Sequence, residues 1–580
     1  MNIIALLLIP FCLYIVAYCF YSSWIAKKLG EDPSRKTPAI THNDGIDYCP
    51  TRLSVVFASH FSGIAGAGPI LGPTMAILYG VAPAWTWIIL GGILFGAVHD
   101  YTTMFISLRE DSRSIAEMCR RILGDTTYAF FLFFLLLMLA LVNSSFLRAT
   151  ATALTSSWPV DKIPGFDKAH YGILNIEDIG GVAYAHIGGI ASASVVFITL
   201  AAPLLGLLLR RTHIKTILIY LIASLLCVLS IIIGVYLPIR VQSQTWMYII
   251  SGYTMLAAGL PIWLIIQPRD FINVQILYAG VILIVTSMFV LLFKGDCIQT
   301  FPMFNIAEGN QKLGAMWPLL FITIACGAIS GFHCILGTGT TSKLLKREHD
   351  ARIVGFGGML FESFLAVCAL LIIGFGLDKV DYMSIIWPTT GTSNPILAFS
   401  LGAAQIFHKA INIPVQLGTV LAILLLEGFV VTTLDVAVRL TRLLLEEFWR
   451  ALFGAKTPKI MLIPWFNSTI AVLCMLLLAS GSAFNTLWPI FGTANQLLAA
   501  LALMVVVFWL LLRKKSYLFA LLPAVFMGIT TMAALLSLMP KYIREHNYSL
   551  LVTSILLIVV AVIILVRGCF TIITKKAEVK

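Results

Sequence analysis

The sequence predicts an all-α polytopic membrane protein with about fifteen transmembrane helices. Hydrophobic residues make up 59% of the 580 residues, charged residues make up only 11%, and the mean hydropathy is +0.95. Soluble domains carry about 25% charged residues, so most of this chain belongs in lipid. The apolar runs approach the ~20 residues that a spanning helix needs, whereas barrel strands would be ~10 residues of alternating polarity.

The apolar segments divide the chain into predicted spans that follow one another closely, without a soluble domain. These spans are 3–25, 53–80, 83–108, 128–154, 186–209, 214–238, 245–266, 275–293, 317–341, 352–375, 413–445, 461–480, 484–512, 517–538 and 549–571. A further apolar stretch, 395–407, is too short to cross, and we expect it to be re-entrant or to lie on the surface. The first span has no basic region before it and no small-residue cleavage signature. It is therefore predicted to be a retained helix and not a cleaved signal peptide.

The distribution of charge predicts the orientation. The formal net charge is +12, but the basic residues lie in short loops, which argues against nucleic acid as a partner. With the N-terminus outside and the C-terminus inside, 29 Lys and Arg residues fall in inner loops and nine in outer loops, and Arg148 lies within a span. This asymmetry follows the positive-inside rule. The eleven cysteines include no CxxC pair and lie mostly inside spans, so we predict neither disulfides nor a bound cofactor or metal.

Two spans contain clusters of glycine and proline that weaken a regular helix. The second holds HFSGIAGAGPILGP at 60–73, and the ninth holds CGAISGFHCILGTGTT at 326–341. Each Gly in a helix interior costs ~1 kcal/mol and each Pro ~3 kcal/mol, so both spans are predicted to be broken. Unwound backbone in a membrane is tolerated where it lines a cavity, and its free N–H groups bind anions.

The positions of the two broken spans fit an inverted repeat. Seven crossings separate them, so the units that begin there have opposite orientations, and paired broken helices mark the central site of many transporters. The alternative is ordinary packing of small residues between membrane helices. If the breaks form a site, the predicted substrate-binding residues are Gly66, Ala67, Gly68, Ser330, Gly331, Thr338, Thr340, Asn495 and Gln496. For the last two, hydrogen bonds between helices are the alternative.

Several ionisable residues lie deep in predicted spans, where each is costly unless it serves a function. His60, His99 and His333 are all ~10–13 Å from the inner ends of their spans, and Asp100 adjoins His99. We predict that these residues cluster as a proton relay. Two alternatives remain: separate histidines bonded to backbone carbonyls, or a His/Asp metal site.

Buried carboxylates extend this prediction. Glu362 is ~15 Å into its span, and we predict that it couples transport to a proton; the alternative is a hydrogen bond to backbone freed by a broken helix. Glu427 is also deep, and the same reasoning applies to it.

Four charged residues near the inner ends of spans are candidates for gating. Asp435 and Arg439 are four residues apart on one helix face, so they form either a surface ion pair or a latch of the inner gate. Arg269 and Asp270 belong to a QPRD stretch at the inner face, either as gating residues or as interfacial charges after a Pro-terminated helix.

The chain resembles the carbon starvation protein A family of bacterial peptide and pyruvate transporters. The matching motifs, in order, are HFSGIAGAGPILGP (60–73), GAVHD (96–100), RSIAE (113–117), QPRDF (267–271), ACGAISGFHCILGTGTTSK (325–343), GGMLFES (357–363), TTLDVAVR (432–439) and LWPIFGTANQLLA (487–499). One departure is visible, because the family commonly has two histidines where this chain has Ser59 and His60.

The resemblance implies a leucine-transporter-like fold with 5+5 inverted repeats in the bacterial inner membrane. It also implies proton-driven uptake of pyruvate or short peptides during carbon limitation. We divide the single transmembrane domain into a first repeat at 53–238, intervening helices at 245–293, a second repeat at 317–512 and peripheral helices at 517–571. The alternatives are a sodium-coupled carboxylate transporter, a metal-dependent intramembrane enzyme, an ion channel and a starvation sensor; no HExxH motif supports the enzyme.

Overall fold

A computed structural model of the chain describes residues 3–44, 48–163, 174–210, 216–261, 264–294, 299–388, 393–481 and 484–578. The first helices are α1 (Ile3–Val16), α2 (Ser22–Leu29), α3 (Pro38–Thr41), α4 (Leu53–Ile64), α5 (Gly68–Ala76), α6 (Val81–Gly91), α7 (Ala97–Arg109), α8 (Ile115–Leu123) and α9 (Asp125–Leu154). The middle helices are α10 (Ile187–Arg210), α11 (Thr216–Tyr236), α12 (Ser243–Gly259), α13 (Ile266–Lys294), α14 (Ile306–Lys312), α15 (Met316–Thr323), α16 (Phe332–Gly339) and α17 (Glu348–Ala351). The last helices are α18 (Gly358–Gly376), α19 (Lys379–Ile386), α20 (Pro395–Ile411), α21 (Val415–Phe453), α22 (Pro464–Ser480), α23 (Phe484–Leu512), α24 (Leu518–Arg544) and α25 (Tyr548–Glu578).

Three π-helical turns make pairs of these helices continuous. They join α1 to α2 (Ala17–Tyr21), α6 to α7 (Gly92–Gly96) and α17 to α18 (Arg352–Gly357). Such turns are often found at functional sites. The second and third lie within a few residues of His99 and Glu362, respectively.

The chain is a multi-pass membrane protein. Within the described residues, eleven helices are long and apolar enough to cross a bilayer, and the bent pair α4–α5 makes a twelfth if it forms one span. All fifteen predicted spans contain helix, but the count of fifteen is not confirmed. Helices α12 and α22 have 17 residues each, and the ninth span is divided into two helices of eight.

A small sheet corrects the prediction that the protein is entirely α-helical. Strands β1 (Ser157–Pro159), β2 (Asn175–Ile179) and β3 (Val182–His186) form an antiparallel sheet in the order β1-β3-β2, in a linker that we predicted to lie outside. Gly180 and Gly181 have φ angles of +65° and +83°, which favour a two-residue hairpin turn. A Gly-Gly pair between two short strands was a sequence signal for this hairpin.

The segment 395–407, predicted to be re-entrant or to lie on the surface, belongs to a longer helix. Helix α20 has 17 residues, and most of its side chains are buried against α18 and α21. Gly402 contacts the end of α18, and Asn394 donates a hydrogen bond to the Ser156 hydroxyl just beyond α9. Because both contacts involve helix ends on the predicted outer face, α20 covers that face of the bundle.

The centre of the bundle has a pairwise pattern of helix packing. Helices α9 and α21 form the longest interface. Helix α12 packs on both of them, and so does α22. Helix α13 packs on α21, and α23 packs on α9. The hairpin α10–α11 lies against α13, and α24 and α25 lie against α23.

Candidate functional site at two broken helices

The first break interrupts the second predicted span. Helix α4 ends at Ile64, α5 begins at Gly68, and the two axes are bent by 43°. Pro69 lies in the first turn of α5, where its missing N–H has no structural cost. The backbone N–H groups at the start of α5 have no side-chain cap.

The second break lies one to two turns earlier than the sequence predicted. Helix α15 ends at Thr323 and α16 begins at Phe332, so the unwound segment is 324–331. The predicted break at 326–341 is wrong for residues 332–339, which are helical. Helix resumes there because the side chain of Asn495, on α23, accepts a hydrogen bond from the Phe332 N–H at 2.9 Å.

Glycine allows the two broken helices to touch. A Cβ atom on Gly72 would lie 2.8 Å from the Thr323 carbonyl oxygen, and one on Gly327 would lie 3.7 Å from the Pro69 Cα atom. A Cβ on Gly68 would collide with the Cys326 side chain. A side chain at Gly68 or Gly72 would therefore press the two breaks apart. At Gly327, a Cβ atom would be in ordinary contact with Pro69 and would instead collide with Ala366 on α18.

Two adjacent amides on α23 satisfy the unwound backbone. The Asn495 side chain donates to the Ser330 hydroxyl at 3.0 Å, and the Asn495 backbone carbonyl accepts from the Gly331 N–H at 3.0 Å. Gln496 donates to the Phe321 carbonyl at 2.9 Å. Both side chains thus hold the second break in place, as the helix-to-helix alternative predicted.

A chain of buried titratable groups lies beside the breaks. His99 and His333 each place Nδ1 2.7 Å from a different oxygen of Asp100. A carboxylate can only accept hydrogen bonds. Nδ1 of each ring therefore carries a hydrogen and donates a hydrogen bond to Asp100. All three side chains are at most 2% exposed.

Glu362 continues this chain. The other ring nitrogen of His333, Nε2, lies 3.3 Å from Glu362 Oε2, without the angle of a hydrogen bond. Neither Glu362 oxygen has a hydrogen-bond partner among the described residues, so the alternative of a bond to freed backbone is not seen there. The Ile64 carbonyl at the first break also faces His333. We call His99, Asp100, His333 and Glu362 the relay cluster.

His60 lies next to the relay cluster but is not bonded to it. Its Nδ1 atom forms a 2.9 Å hydrogen bond with the Thr341 hydroxyl, and its ring packs beside Gly337 and Gly358. Among the described residues, no three His, Cys, Asp or Glu side chains are arranged to hold a metal ion.

Thr338 and Thr340 lie away from the breaks. Thr338 accepts a hydrogen bond from the Ile115 N–H at 3.0 Å, at the start of α8 on the predicted inner face. Thr340 follows α16 and is exposed. Seven residues of helix separate Thr338 from Gly331, a distance of ~10 Å. Of the predicted substrate-binding residues, Gly68 packs against the second break, whereas Gly66 faces Thr433 and Gly331 faces Asn495.

The predicted pairing of Asp435 with Arg439 is wrong. Asp435 forms a buried ion pair with Arg269 and accepts a hydrogen bond from the Tyr253 hydroxyl at 2.8 Å. Arg439 instead donates to the Leu260 carbonyl at 3.2 Å. A guanidinium on another helix competed better than the i+4 neighbour because it is fully buried with the carboxylate.

The expectation that the QPRD stretch ends a span is also wrong. Arg269 lies in the first turn of α13 and Asp270 follows it, and this helix runs on to Lys294, whereas the preceding helix ends at Gly259. Proline is tolerated in that first turn. Oδ1 of Asp270 is buried without a hydrogen-bond partner.

Comparison with known proteins identifies the family. A sequence profile described as carbon starvation protein CstA matches residues 2–394 and 388–534. Peptide transporter CstA of Escherichia coli (strain K12) is 30% identical over 603 residues, which cover 92% of this chain and 80% of the relative. The chain belongs to the CstA family.

Two further relatives match most of this chain. Pyruvate/proton symporter BtsT of Escherichia coli (strain K12) is 30% identical, over 90% of this chain and 80% of its own length. Peptide transporter CstA of Bacillus subtilis (strain 168) is 27% identical over 98% of this chain and 96% of its own length.

Solved structures offer more distant similarities. The manganese transporter of Eremococcus coleocola is 11% identical, covers 90% of this chain and 94% of its own, and has a TM-score of 0.44. The structure of MhsT in complex with L-phenylalanine is 12% identical, covers 88% of this chain and 98% of its own, and has a TM-score of 0.43. Backbones that differ this much do not fix the arrangement of helices.

Sequence reasoning missed a charged network on the predicted inner face of this CstA-family chain. Glu348 is 1% exposed and binds Arg109 through both oxygens, at 2.5 Å and 2.8 Å. The Asp32 N–H donates to Glu348 at 2.9 Å, and Arg109 also donates to the Gly30 carbonyl at 2.7 Å. These bonds tie the loop after α2 to α7 and α17.

The same loop has further contacts. The hydroxyl of Tyr101, next to Asp100, donates to Glu31 at 2.9 Å, and His349 Nδ1 lies 2.9 Å from the other Glu31 oxygen. The Cys49 N–H donates to the Lys343 carbonyl at 3.2 Å. We call residues 30–44 and 48–52, with Arg109 and Glu348, the inner clasp. Glu31 and Glu348 are among the acidic residues of strongly basic inner loops, and this mixture of opposite charges was the sequence signal.

Proposed function

We propose that this chain is a proton-coupled transporter that carries pyruvate or short peptides into the bacterial cell across the inner membrane, in response to carbon starvation. The observation that carries the proposal is the contact between the two helix breaks and the buried relay cluster beside them. Relatives named peptide transporter and pyruvate/proton symporter support it. The proposed orientation, with the N-terminus outside, rests on the distribution of basic residues.

The first break would bind the carboxylate that pyruvate and peptides share. The start of α5 at Gly68 has no side-chain cap, and a helix N-terminus attracts anions through its free N–H groups and its dipole. Ser330 and Gly331 on the second break, which Asn495 holds, would supply further polar contacts. Asn495 and Gln496 would act indirectly by holding that break, and Thr338 and Thr340 would lie on the inner exit path.

The relay cluster would carry the proton. With His333 protonated and both carboxyls ionised, the cluster keeps one negative charge in a buried site, and a proton on Glu362 removes it. Loading this proton would make the site favourable for an anionic substrate, since two negative charges then no longer repel each other. Proton and substrate would therefore bind together, which is the basis of symport. His60 forms no hydrogen bond with the relay cluster, and it would act on the protonation of the cluster only through its proximity.

Helix packing supports a 5+5 inverted repeat with a revised first half. Helices α12 and α13 pack on α21 as α22 and α23 pack on α9, which suggests that α12 and α13 close the first repeat. Each suggested pair has opposite orientation in our predicted topology. We therefore propose that the first repeat comprises α4–α9, α12 and α13, that α10 and α11 are an inserted hairpin, and that the second repeat runs from α15 to α23. In sequence, this places 245–293 inside the first repeat.

Two ion-pair groups would form gates on the inner side. The inner clasp joins the loop after α2 to the inner end of the second broken helix. The Arg269–Asp435 pair joins α13 to α21, and Thr433, two residues before Asp435, packs against the first break at Gly66. Release of substrate to the inside would require both groups to rearrange. Asp270 and Arg439 flank the second group.

Uptake into proteoliposomes tests the proposal. Labelled pyruvate, lactate and a dipeptide would be offered separately under an imposed proton or sodium gradient. We expect pyruvate or the dipeptide to accumulate when the outside is acidic, and sodium to have no effect. Accumulation driven by sodium alone would favour the alternative of a sodium-coupled carboxylate transporter. Absence of accumulation under either gradient would overturn the proposal.

A further inference from the structure

Glu427 is a buried carboxyl that the relay cluster does not use. It lies on α21, and neither carboxyl oxygen has a hydrogen-bond partner among the described residues. The side chain has no solvent exposure. It is twelve residues from the start of α21, which places it ~18 Å along that helix.

The charges around Glu427 do not balance an ionised carboxylate. Arg269 on α13 is the charged side chain whose field reaches it. Arg269 is already paired with Asp435 and donates to the Tyr253 hydroxyl at 3.2 Å, and Asp270 adds a further carboxyl beside it. An unpaired, unbonded carboxylate in a low-dielectric interior is strongly disfavoured, so Glu427 holds a proton when the bundle is closed.

Glu427 lies between two contacts that α21 makes with other elements. Two residues before it, Leu425 packs against Gly280 on α13. Six residues after it, Thr433 would lie 2.7 Å from a Cβ atom on Gly66 at the first break. A rearrangement of α21 relative to α13 or to the break would therefore change the surroundings of this carboxyl. Contact with water would allow the proton to leave.

We propose that Glu427 carries a second transported proton, so that two protons move with each substrate. This inference rests on the proposed function, because it assumes proton-coupled transport. The relay cluster and Glu427 would load separately, because one lies among α7, α16 and α18 and the other on α21.

The accumulation ratio at zero membrane potential tests the number of protons. One transported proton allows a ratio of about tenfold per pH unit, and two allow about 100-fold. We expect wild-type proteoliposomes to reach the two-proton slope with labelled pyruvate or dipeptide. The E427Q variant, which resembles the protonated state, should fall to the one-proton slope and still exchange labelled substrate without a gradient.

Two variants and one spectrum control for damage. E447Q changes a half-buried carboxyl on the same helix, ~30 Å away, that accepts a 3.5 Å hydrogen bond from Tyr128, and it should keep the two-proton slope. E427D should also keep the two-proton slope, with a lower rate of substrate uptake. If E427Q loses exchange altogether, the infrared difference between purified wild type and E427Q should still contain a protonated-carboxyl band at neutral pH.

Several results would overturn the inference. These are a one-proton slope in wild type, an unchanged slope in E427Q, and a missing protonated-carboxyl band. A slope that follows sodium and disappears in E427Q would assign the site to a cation instead. Wild-type accumulation that ignores the proton gradient would refute the proposed function itself, which keeps the two failures apart.

Discussion

His333 lies between Asp100 and Glu362, with one ring nitrogen 2.7 Å from an Asp100 oxygen and the other 3.3 Å from a Glu362 oxygen. One imidazole on α16 thus connects α7 with α18, directly below the second break. A proton added to either carboxyl changes the charge that the other one faces, because both share this ring. The relay cluster therefore couples protonation to the packing of three helices.

Removing the carboxylate of Asp100 should disable the relay cluster. In D100N, the amide oxygen can accept from only one of the two histidines, the other faces an NH2 donor, and the negative charge that both rings share is lost. We expect gradient-driven uptake to fall about 100-fold, by analogy with the loss of a positioned proton-transfer group. The measurement is the initial rate of labelled substrate uptake. D381N, a change on α19 far from the cluster, should leave the rate unchanged, and full activity of D100N would contradict the relay.

A methyl group at Gly66 should block the first break, and removing its neighbour should relieve the block. A Cβ atom at this position would lie 2.7 Å from the Thr433 hydroxyl oxygen. We expect G66A to lower substrate uptake and G66A/T433A to recover most of it, while T433A alone stays near wild type. Uptake rates of the four proteins form a double-mutant cycle. Additive effects without recovery would show that this contact does not limit the break.

Asn495 should contribute to stability as well as to transport. In N495A, the Phe332 N–H and the Ser330 hydroxyl lose a buried partner, which costs about 1–3 kcal/mol for each group left unsatisfied. We expect a lower midpoint of thermal unfolding in detergent and a higher KM for uptake. N485A, in the first turn of the same helix, should change the midpoint much less. Equal midpoints for N495A and wild type would show that the second break does not depend on this amide.

The sequence predicted most helical segments and the presence of a break in the second and ninth predicted spans. Helix breaks follow from local chemistry, because glycine and proline weaken a helix at their own positions. The second break was misplaced because Asn495, which restarts helix at Phe332, is more than 160 residues away in the chain. No local pattern reports such a partner.

Ion pairs between helices were harder to predict than the helices. Asp435 has a favourable i+4 partner in Arg439, yet it binds Arg269, which is 166 residues away. The inner clasp has the same character, since Glu348 and Arg109 lie 239 residues apart. Both networks depend on which helix ends meet, and a single sequence does not specify that. The hairpin at Gly180–Gly181, in contrast, was local and was overlooked.

Weakening the inner clasp should open the predicted inner face. E348Q removes the charge that binds Arg109, and a loss of about 1.4 kcal/mol would raise the open fraction about tenfold. In a variant that retains Cys49 as its only cysteine, we expect maleimide to label it faster from the inner side when Glu348 is replaced. E545Q, beyond α24 on the predicted outer face, is the matched control. Equal labelling rates in all three proteins would exclude the clasp as a gate.

Proton movement that accompanies substrate tests the relay most directly. Proteoliposomes with a pH-sensitive dye inside and no imposed gradient would receive labelled pyruvate or dipeptide, and both the dye and the label would be followed. We predict that wild type acidifies the interior as substrate enters. E362Q should still admit substrate and should acidify the interior less for each molecule that enters, because the relay cluster has lost its proton-accepting carboxyl. Equal acidification per molecule of substrate in E362Q and wild type would contradict the assignment of Glu362 to proton coupling.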